Sequence, residues 1–584
     1  MALRFDVGIA TFAVFAAHAS AQNCVTEQLT FAPGGASLDN DSERPVLSAD
    51  GRFVAFVSAA TNTGHVAMYG QVYLLDRANG VLDLVSQSSG GVASTHAQGV
   101  GWQYTSALRV SQSGRFVLFM SDAGNLVAND TNTPPPQGVP STGLDVFLRD
   151  RVTGQTITPN RMPDGTTGQG ASTGGAMTSD ARWITFATAN RLVAADTNDL
   201  ADVYLFERAS GATTWIGLTS SGEGPELAVM VNAISDDGRF VVLTTPASKM
   251  VDGDTNGWSD VFVRDLASGA VERISVDSSG VQGNRSSRGV AISPDGRFVL
   301  FVSDASNWAG HVYPAPDLYV RDRANATTLL VSVREDGTPV FDAGGASAMS
   351  ADARFIVFES DALGVLDDDP FVKSDVFLRD TWQSKTTLVS ATPSGDFSAA
   401  HSNGAGISAD GRVLVFSSKS GVLTNPGIGN QVEDIFVRDC TPDVPTVYCV
   451  AAPMGIGCTP TIGAFGVPSA SAGSGFDVAL APARNRQAGI LFYGVSGATL
   501  APLAQQWLCV AAPIVRTPLQ DSGGSSVGDD CTGVLHVDFN ARIASGVDPA
   551  LASGVEVRAQ YWTRDAGSAT GTYLSNALWF AIRP

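Results

Sequence analysis

The chain has little charge, almost no lysine and no long apolar run. Charged residues make up 16% of its 584 residues, and 57 acidic side chains outnumber 36 basic ones for a formal charge of −21. That balance argues against nucleic acid and anionic membrane surfaces as partners. The scarcity of lysine beside arginine is a compositional bias and says nothing of function. Past the N-terminal leader, no stretch is long and apolar enough to span a bilayer. No long stretch has helical periodicity either. The motifs H-E-x-x-H and G-x-x-x-x-G-K-[ST] do not occur, which removes the commonest sequence signatures of a zinc protease and a phosphate loop. DSGG at Asp521–Gly524 is similar to a serine-protease loop, but Gln520 stands where that loop has glycine, so it reads as a turn. Histidine is sparse: His65, His96, His311, His401 and His536 remain after the leader, and all read as ordinary loop or strand residues.

What the chain does have is a repeat. S-x-D-G-R-F appears as SADGRF (Ser48–Phe53), SQSGRF (Ser111–Phe116), TSDARW (Thr178–Trp183), SDDGRF (Ser235–Phe240), SPDGRF (Ser293–Phe298), SADARF (Ser350–Phe355) and SADGRV (Ser408–Val413). The arginines are spaced by 57–58 residues, or by 63 and 67 where loops are longer. A fixed period in this range means an array of one supersecondary unit. In each unit a short apolar stretch leads to the serine. Asp-Gly or Asp-Ala then turns the chain, and an alternating strand such as RFVLFVS follows. After a polar loop comes a third strand of the D-V-F-L-R-D type, and after a tight turn a fourth, such as VERISV (Val271–Val276). The expected fold is all-β: a seven-bladed β-propeller of four-stranded blades over residues 22–440.

SPDGRFVLF followed by DLYVRD resembles the TolB-like, WD-repeat-like propellers of bacterial periplasmic and secreted proteins, over roughly Val25–Asp439. The resemblance implies binding more than chemistry, since such propellers serve as interaction scaffolds and as non-catalytic domains of peptidases. The last repeat has no fourth strand of its own. Glu27 lies 25 residues before Arg52, as Glu272 lies 25 before Arg297, so the N-terminal strand is expected to complete blade seven beside Asp434–Asp439. On that alignment Cys24 and Cys440 flank a tight turn, where Cα separations suit a disulfide.

Residues 1–21 read as an export signal: Val7–Ala17 is apolar and Ala19-Ser20-Ala21 is a cleavage site. A secreted, periplasmic or cell-surface location follows, and with it an oxidising compartment. After a short linker at 441–445 the repeat stops. Short strand-like runs over 446–584 suggest a separate antiparallel β-sandwich. GILFYG, LCVAAPIVRT, QYWTRD and NALWF resemble a C-terminal module of secreted planctomycete- and myxobacteria-type proteins. Within it the expected disulfides are Cys449–Cys458 and Cys509–Cys531.

One loop suggests a metal. VDGDTNGWSD sets Asp252, Asp254, Asn256 and Asp260 at relative positions 1, 3, 5 and 9 with Gly257 at 6, as a Ca²⁺ loop requires. It is similar to the calcium loops of EF-hand-like and integrin-type repeat proteins, except that Val263 stands where a bidentate Glu often does. The alternative is a turn capped by Asp and Asn side chains. The repeated Arg–Asp pairs (Arg149/Asp150, Arg264/Asp265, Arg379/Asp380) read as inter-blade or turn hydrogen bonds, because one active site does not need a copy per repeat. Two functions fit: a monomeric, non-catalytic scaffold that binds a protein, peptide or polysaccharide through its loop-rich face, or a hydrolase or lyase acting on a polysaccharide or peptide at the channel mouth. The Pro-rich insertion at Ser121–Leu144 is the best candidate for a specific contact.

Overall fold

The structure is a computed structural model that describes residues 23–582, apart from 66–69, 96–107, 131–142, 169, 309–315, 335, 341–344, 362–364, 367–372, 425–431, 442–444, 450–456, 504–505, 553–554, 566 and 569–570. The leader, His96, His311, most of the Pro-rich insertion and most of the linker lie outside the described residues.

The repeats form seven four-stranded antiparallel sheets. The fifth is typical: Ser287–Ile292, Phe298–Ser303, Asp317–Asp322 and Thr327–Leu330 pair in chain order. The seventh joins both ends of the array, since Asn23–Gln28 pairs with Asp434–Thr441 and sets Cys24 opposite Cys440. These two cysteines form a disulfide with a Cα–Cα distance of 4.0 Å.

Second and third strands are apolar on both faces because both are covered. Each of seven apolar clusters combines two successive sheets; one joins Val54, Phe56 and Tyr73 of the first sheet to Val415, Ile435 and Val437 of the seventh. Cross-strand aromatic pairs recur inside the sheets, as in Phe119–Phe147 at 5.7 Å and Phe301–Tyr319 at 5.5 Å between centroids, favourable offset arrangements. The first strands (Ser42–Leu47, Arg109–Val110, Ser172–Met177, Met230–Ile234, Ser287–Ile292, Ser347–Met349 and Ser402–Ile407) touch one another in cyclic order, the seventh against the first.

The recurring motif builds a recurring turn. Ser293 Oγ donates to Asp295 Oδ1 (2.6 Å) and accepts from the Phe298 amide (2.8 Å). Arg297 then grips Asp322, at the end of the third strand, through two hydrogen bonds of 3.0 and 2.6 Å. Charge-assisted, bidentate pairs of this kind are the strong ones. The R-D dipeptide therefore has two separate tasks. The aspartate pairs with the arginine of its own sheet's turn, while the arginine can reach back to the preceding sheet: Arg264 donates to the carbonyls of Leu218 (2.6 Å) and Thr219 (3.1 Å).

Past the repeats, Thr446–Tyr448, Thr572–Ala581, Glu556–Arg564, Ala488–Gly494 and Val515–Arg516 run side by side in one sheet, with Gln520–Asp521 also on Ala488–Gly494. A three-stranded sheet of Thr461–Gly466, Phe476–Ala483 and Gly533–Asp538 shares its core, where Phe476, Val478 and Leu480 meet Val557, Tyr561 and Phe580. A short helix, Phe539–Ala544, is capped by Asp538, whose carboxylate accepts from the Ala541 amide at 3.0 Å.

The disulfides of this unit differ from expectation. They are Cys449–Cys509 and Cys458–Cys531, not Cys449–Cys458 and Cys509–Cys531. The reason is packing. Tyr448 donates to the Cys509 carbonyl at 2.7 Å, which brings Cys449 beside Gln506–Val510. Cys458 instead enters the shared core with Ile462 and Leu535, against which Cys531 packs. Nearness in sequence is a poor guide where sheets fold over each other.

Candidate functional site

Each second strand runs away from its turn toward the loop side. Its fifth residue therefore lies near the loops. Across the sheets this residue is Val57, Met120, Ala187, Thr244, Val302, Glu359 and Ser417. Glu359 is the sole carboxylate of the series. Its Oε2 accepts from the Gly404 amide of the next sheet at 3.0 Å, as Thr244 Oγ1 does from Gly289 at 3.0 Å. Burial raises the Glu359 carboxyl above its ordinary range, and the negative charges of Asp361 and Glu433 add to this. Glu433, just before the third strand of the seventh sheet, accepts from Ser417 Oγ at 2.5 Å. Its pKa too is raised, first by burial and then by Glu43. The Glu433 amide donates to Asp41 at 2.8 Å, and Lys419 stands 3.6 Å from the same carboxylate.

Two further observations mark this end of the first, sixth and seventh sheets. His401 accepts from the Ser374 amide through Nδ1 at 3.1 Å, and its Nε2 is 3.5 Å from Lys373 Nζ. Arg44 has φ 60, a left-handed conformation that a non-glycine residue seldom adopts and that often accompanies functional positions. The resulting cluster mixes partly buried carboxylates with Lys373, Lys419 and His401. The sequence held one overlooked signal of it: Glu359 is the one charged residue at its position when the second strands are aligned.

The residues singled out for a metal are placed as follows. Asp252 is exposed. The Asp254 side chain is 2% exposed and faces the Arg273 guanidinium at 3.7 Å. Asn256 donates to Asp260 Oδ2 (2.9 Å) and to the Gly283 carbonyl (2.8 Å), and accepts from the Trp258 amide (2.8 Å). Asp260 also accepts from Ser275 Oγ at 2.5 Å, and burial raises its pKa to about 6. As arranged, the loop sets a guanidinium rather than a ring of oxygens before Asp254. Among the described residues, no group of three or more His, Cys, Asp or Glu is arranged to hold a metal ion.

The remaining sequence candidates are placed as follows. Ser522 of DSGG is buried, donates to the Arg484 carbonyl (2.7 Å) and accepts from the Gln487 amide (2.9 Å). His536 is exposed beside Asp477, at 3.4 Å. His65 has its ring 6.1 Å from that of Tyr73.

The opposite, turn-bearing side carries the C-terminal unit. Arg558, whose side chain is 2% exposed, donates to Asp410 at 3.2 Å and to Glu556 at 3.3 Å, and Glu556 pairs with Arg412. Arg354 donates to the Val447 carbonyl at 3.3 Å, and Gln112 to Thr499 at 2.5 Å. Ala351 is buried with Tyr448, Cys449, Cys509 and Trp579 in one apolar cluster.

No family model matches this chain, and no curated protein does. Among solved structures it is similar to the β-propeller domain of the Trilobed protease from Pyrococcus furiosus, at 10% identity and a TM-score of 0.40, over 69% of this chain and 97% of that one. It is similar to TolB from Acinetobacter baumannii at 15% identity and a TM-score of 0.32, over 68% and 78% of the two chains. The RRP9 WD40 repeats match at 11% identity and a TM-score of 0.36, over 72% and 98%. At such identities and scores none of these likenesses carries a function across. No helix among the described residues is long and apolar enough to cross a membrane.

Proposed function

We propose that the chain is an exported, monomeric, non-catalytic seven-bladed β-propeller with a C-terminal sandwich, and that it binds a protein, peptide or polysaccharide at its loop side. The carrying observation is the contrast between its two sides. One is engaged by the C-terminal unit through Arg558, Glu556 and Tyr448. The other holds Glu359 and Glu433, the only carboxylates at their positions in the repeat. Negative charge there and over the whole chain favours a neutral or cationic ligand. The test is to screen the exported protein on peptide and glycan arrays and repeat the screen with Glu359→Gln and Glu433→Gln. Loss of a hit in these variants, with melting unchanged, supports the reading. Hits that survive both substitutions and disappear when the turn side is altered would sink it.

A second reading, a hydrolase or lyase acting on a polysaccharide or peptide at the channel mouth, is favoured by the raised pKa of both carboxyls, as a general acid requires. Turnover of an array hit that vanishes in Glu433→Gln would establish it. At Asp252, Asp254, Asn256 and Asp260 the proposal is a weak, structural Ca²⁺ site that competes with Arg273.

A further inference from the structure

We propose that the C-terminal unit acts as a clasp on the sheet that joins the two ends of the repeat array. Of the seven repeat sheets, that one alone pairs strands from the two ends of the array. Its outer strand, Asn23–Gln28, is more than 400 residues from its partner Asp434–Thr441 and is tied to it covalently only at Cys24–Cys440, so from Val25 to Gln28 it is held by noncovalent pairing that can open locally.

The docked unit bears on this seam. Asp439 sits on the partner strand Asp434–Thr441, opposite Val25 of the outer strand on one side and Val413 on the other. Its carboxylate receives Arg412 Nε at 2.7 Å and Arg77 Nη2, from the first sheet, at 2.9 Å. Arg412 extends the chain of charges to Glu556, Glu556 to Arg558, and Arg558 back to Asp410 in the turn of the seventh sheet. An unbroken ionic path thus runs from the first sheet through the seam residue into the C-terminal unit. It is shielded: Arg558 and Asp410 are 2% and 4% exposed, so salt screens them little. Beside it, the Ala409 amide donates to the Ala49 carbonyl at 2.8 Å, joining the turns of the seventh and first sheets, and Ala409 packs against the apolar cluster of Tyr448 and Trp579.

The inference rests on strand pairing and docking, and is independent of what the loop side binds. It is tested by hydrogen exchange on the whole disulfide-bonded protein, wild type against Glu556→Gln and Arg558→Met. Both substitutions change residues of the C-terminal unit and leave the sequence of the repeat array intact. Amides of Asn23–Gln28 and Asp434–Thr441 should exchange about tenfold faster in both variants, while Asp260–Asp265 of the fourth sheet keeps its protection, as expected when one cooperative segment opens before the rest. Gln112→Ala, which removes the contact of Gln112 with Thr499 at the second sheet, should leave the seam as in wild type. Unchanged seam exchange in Glu556→Gln and Arg558→Met would overturn the proposal. So would equal acceleration in all seven sheets, or acceleration in Gln112→Ala as large as in Arg558→Met. If Arg558→Met fails to fold, Glu556→Gln alone decides by the same comparison.

Discussion

Gly296 offers a sharp test of how the sheets interlock. It occupies the turn of the fifth sheet at φ +74, and a Cβ built on it would lie 2.2 Å from Cδ2 of Phe240 in the fourth. Two costs arise in Gly296→Ala. The left-handed backbone costs an L-residue roughly 1–2 kcal/mol. Forcing a methyl group into a filled contact costs about 1–3 kcal/mol more. The sum, about 2–5 kcal/mol, is a large part of the 5–15 kcal/mol that typically holds a protein folded.

Gly280 separates the two contributions. It has φ +86 and nothing within 4 Å of a built Cβ, so Gly280→Ala should show the backbone cost alone, about 1–2 kcal/mol. Urea unfolding of the disulfide-bonded protein, read as a midpoint shift at constant slope, measures both. A third variant checks the logic in reverse. Ala353 occupies the equivalent turn position of the sixth sheet at φ 55, so Ala353→Gly should change stability by less than about 1 kcal/mol, backbone relief offsetting the lost methyl group and the added chain entropy. If Gly296→Ala is no worse than Gly280→Ala, the turn of one sheet does not bear on the aromatic ring of its neighbour, and the account of sheet stacking fails.

Non-reducing peptide mapping of exported protein should recover Cys24–Cys440, Cys449–Cys509 and Cys458–Cys531; a Cys449–Cys458 peptide would contradict the packing of the C-terminal unit. Stability should rise as pH falls from about 7 toward 4, because burial holds Asp317 at about 7 and Asp236 at about 6, so the folded state takes up protons before the unfolded one. Below about 4 it should fall again, since Arg239 and Arg115 hold Asp265 and Asp150 well below the usual carboxylate range; a stability that only climbs with pH across 4–7 would refute this. For Ca²⁺, with affinity in the roughly 10⁻⁴–10⁻³ M range of extracellular modules, Arg273→Gln should enlarge the rise in melting temperature over wild type, and Asp254→Ala should abolish it. No response in either wild type or Arg273→Gln would leave the loop as a capped turn.

The repeat architecture was legible because each sheet is encoded locally. Ser, Asp and Arg of one turn satisfy each other within five residues, as Ser293, Asp295 and the Phe298 amide do. The pairing of Asn23–Gln28 with Asp434–Thr441 was legible by counting, since the missing and the extra strand sit at the same phase of the period. The C-terminal disulfides were not, because no period there ties sequence distance to spatial distance. The loop-side cluster was missed for a different reason. Glu359 acts through Gly404 of the next sheet, and the negative charges that help raise its pKa come from Asp361 and Glu433, so its setting exists only once the sixth and seventh sheets are assembled.

Departures from the repeat carry more information than the repeat itself. In six turns the arginine lies over its own aromatic neighbour at 4.6–4.8 Å: Arg52 on Phe53, Arg115 on Phe116, Arg182 on Trp183, Arg239 on Phe240, Arg297 on Phe298 and Arg354 on Phe355. The seventh turn has Val413 there instead. Valine offers no ring, and Arg412 lies 5.7 Å from Trp579 of the C-terminal unit while pairing with Glu556. Arg558 lies over the same ring at 4.7 Å. Six copies supply their arginines with a ring from the same turn, and the one that lacks a ring of its own shares one with the docked unit. The same contrast separates Glu359 from the apolar residues at its position in most other sheets. In an array of near-identical units, a residue present in every copy serves the fold, and a residue present in one copy marks where that unit meets something the others do not.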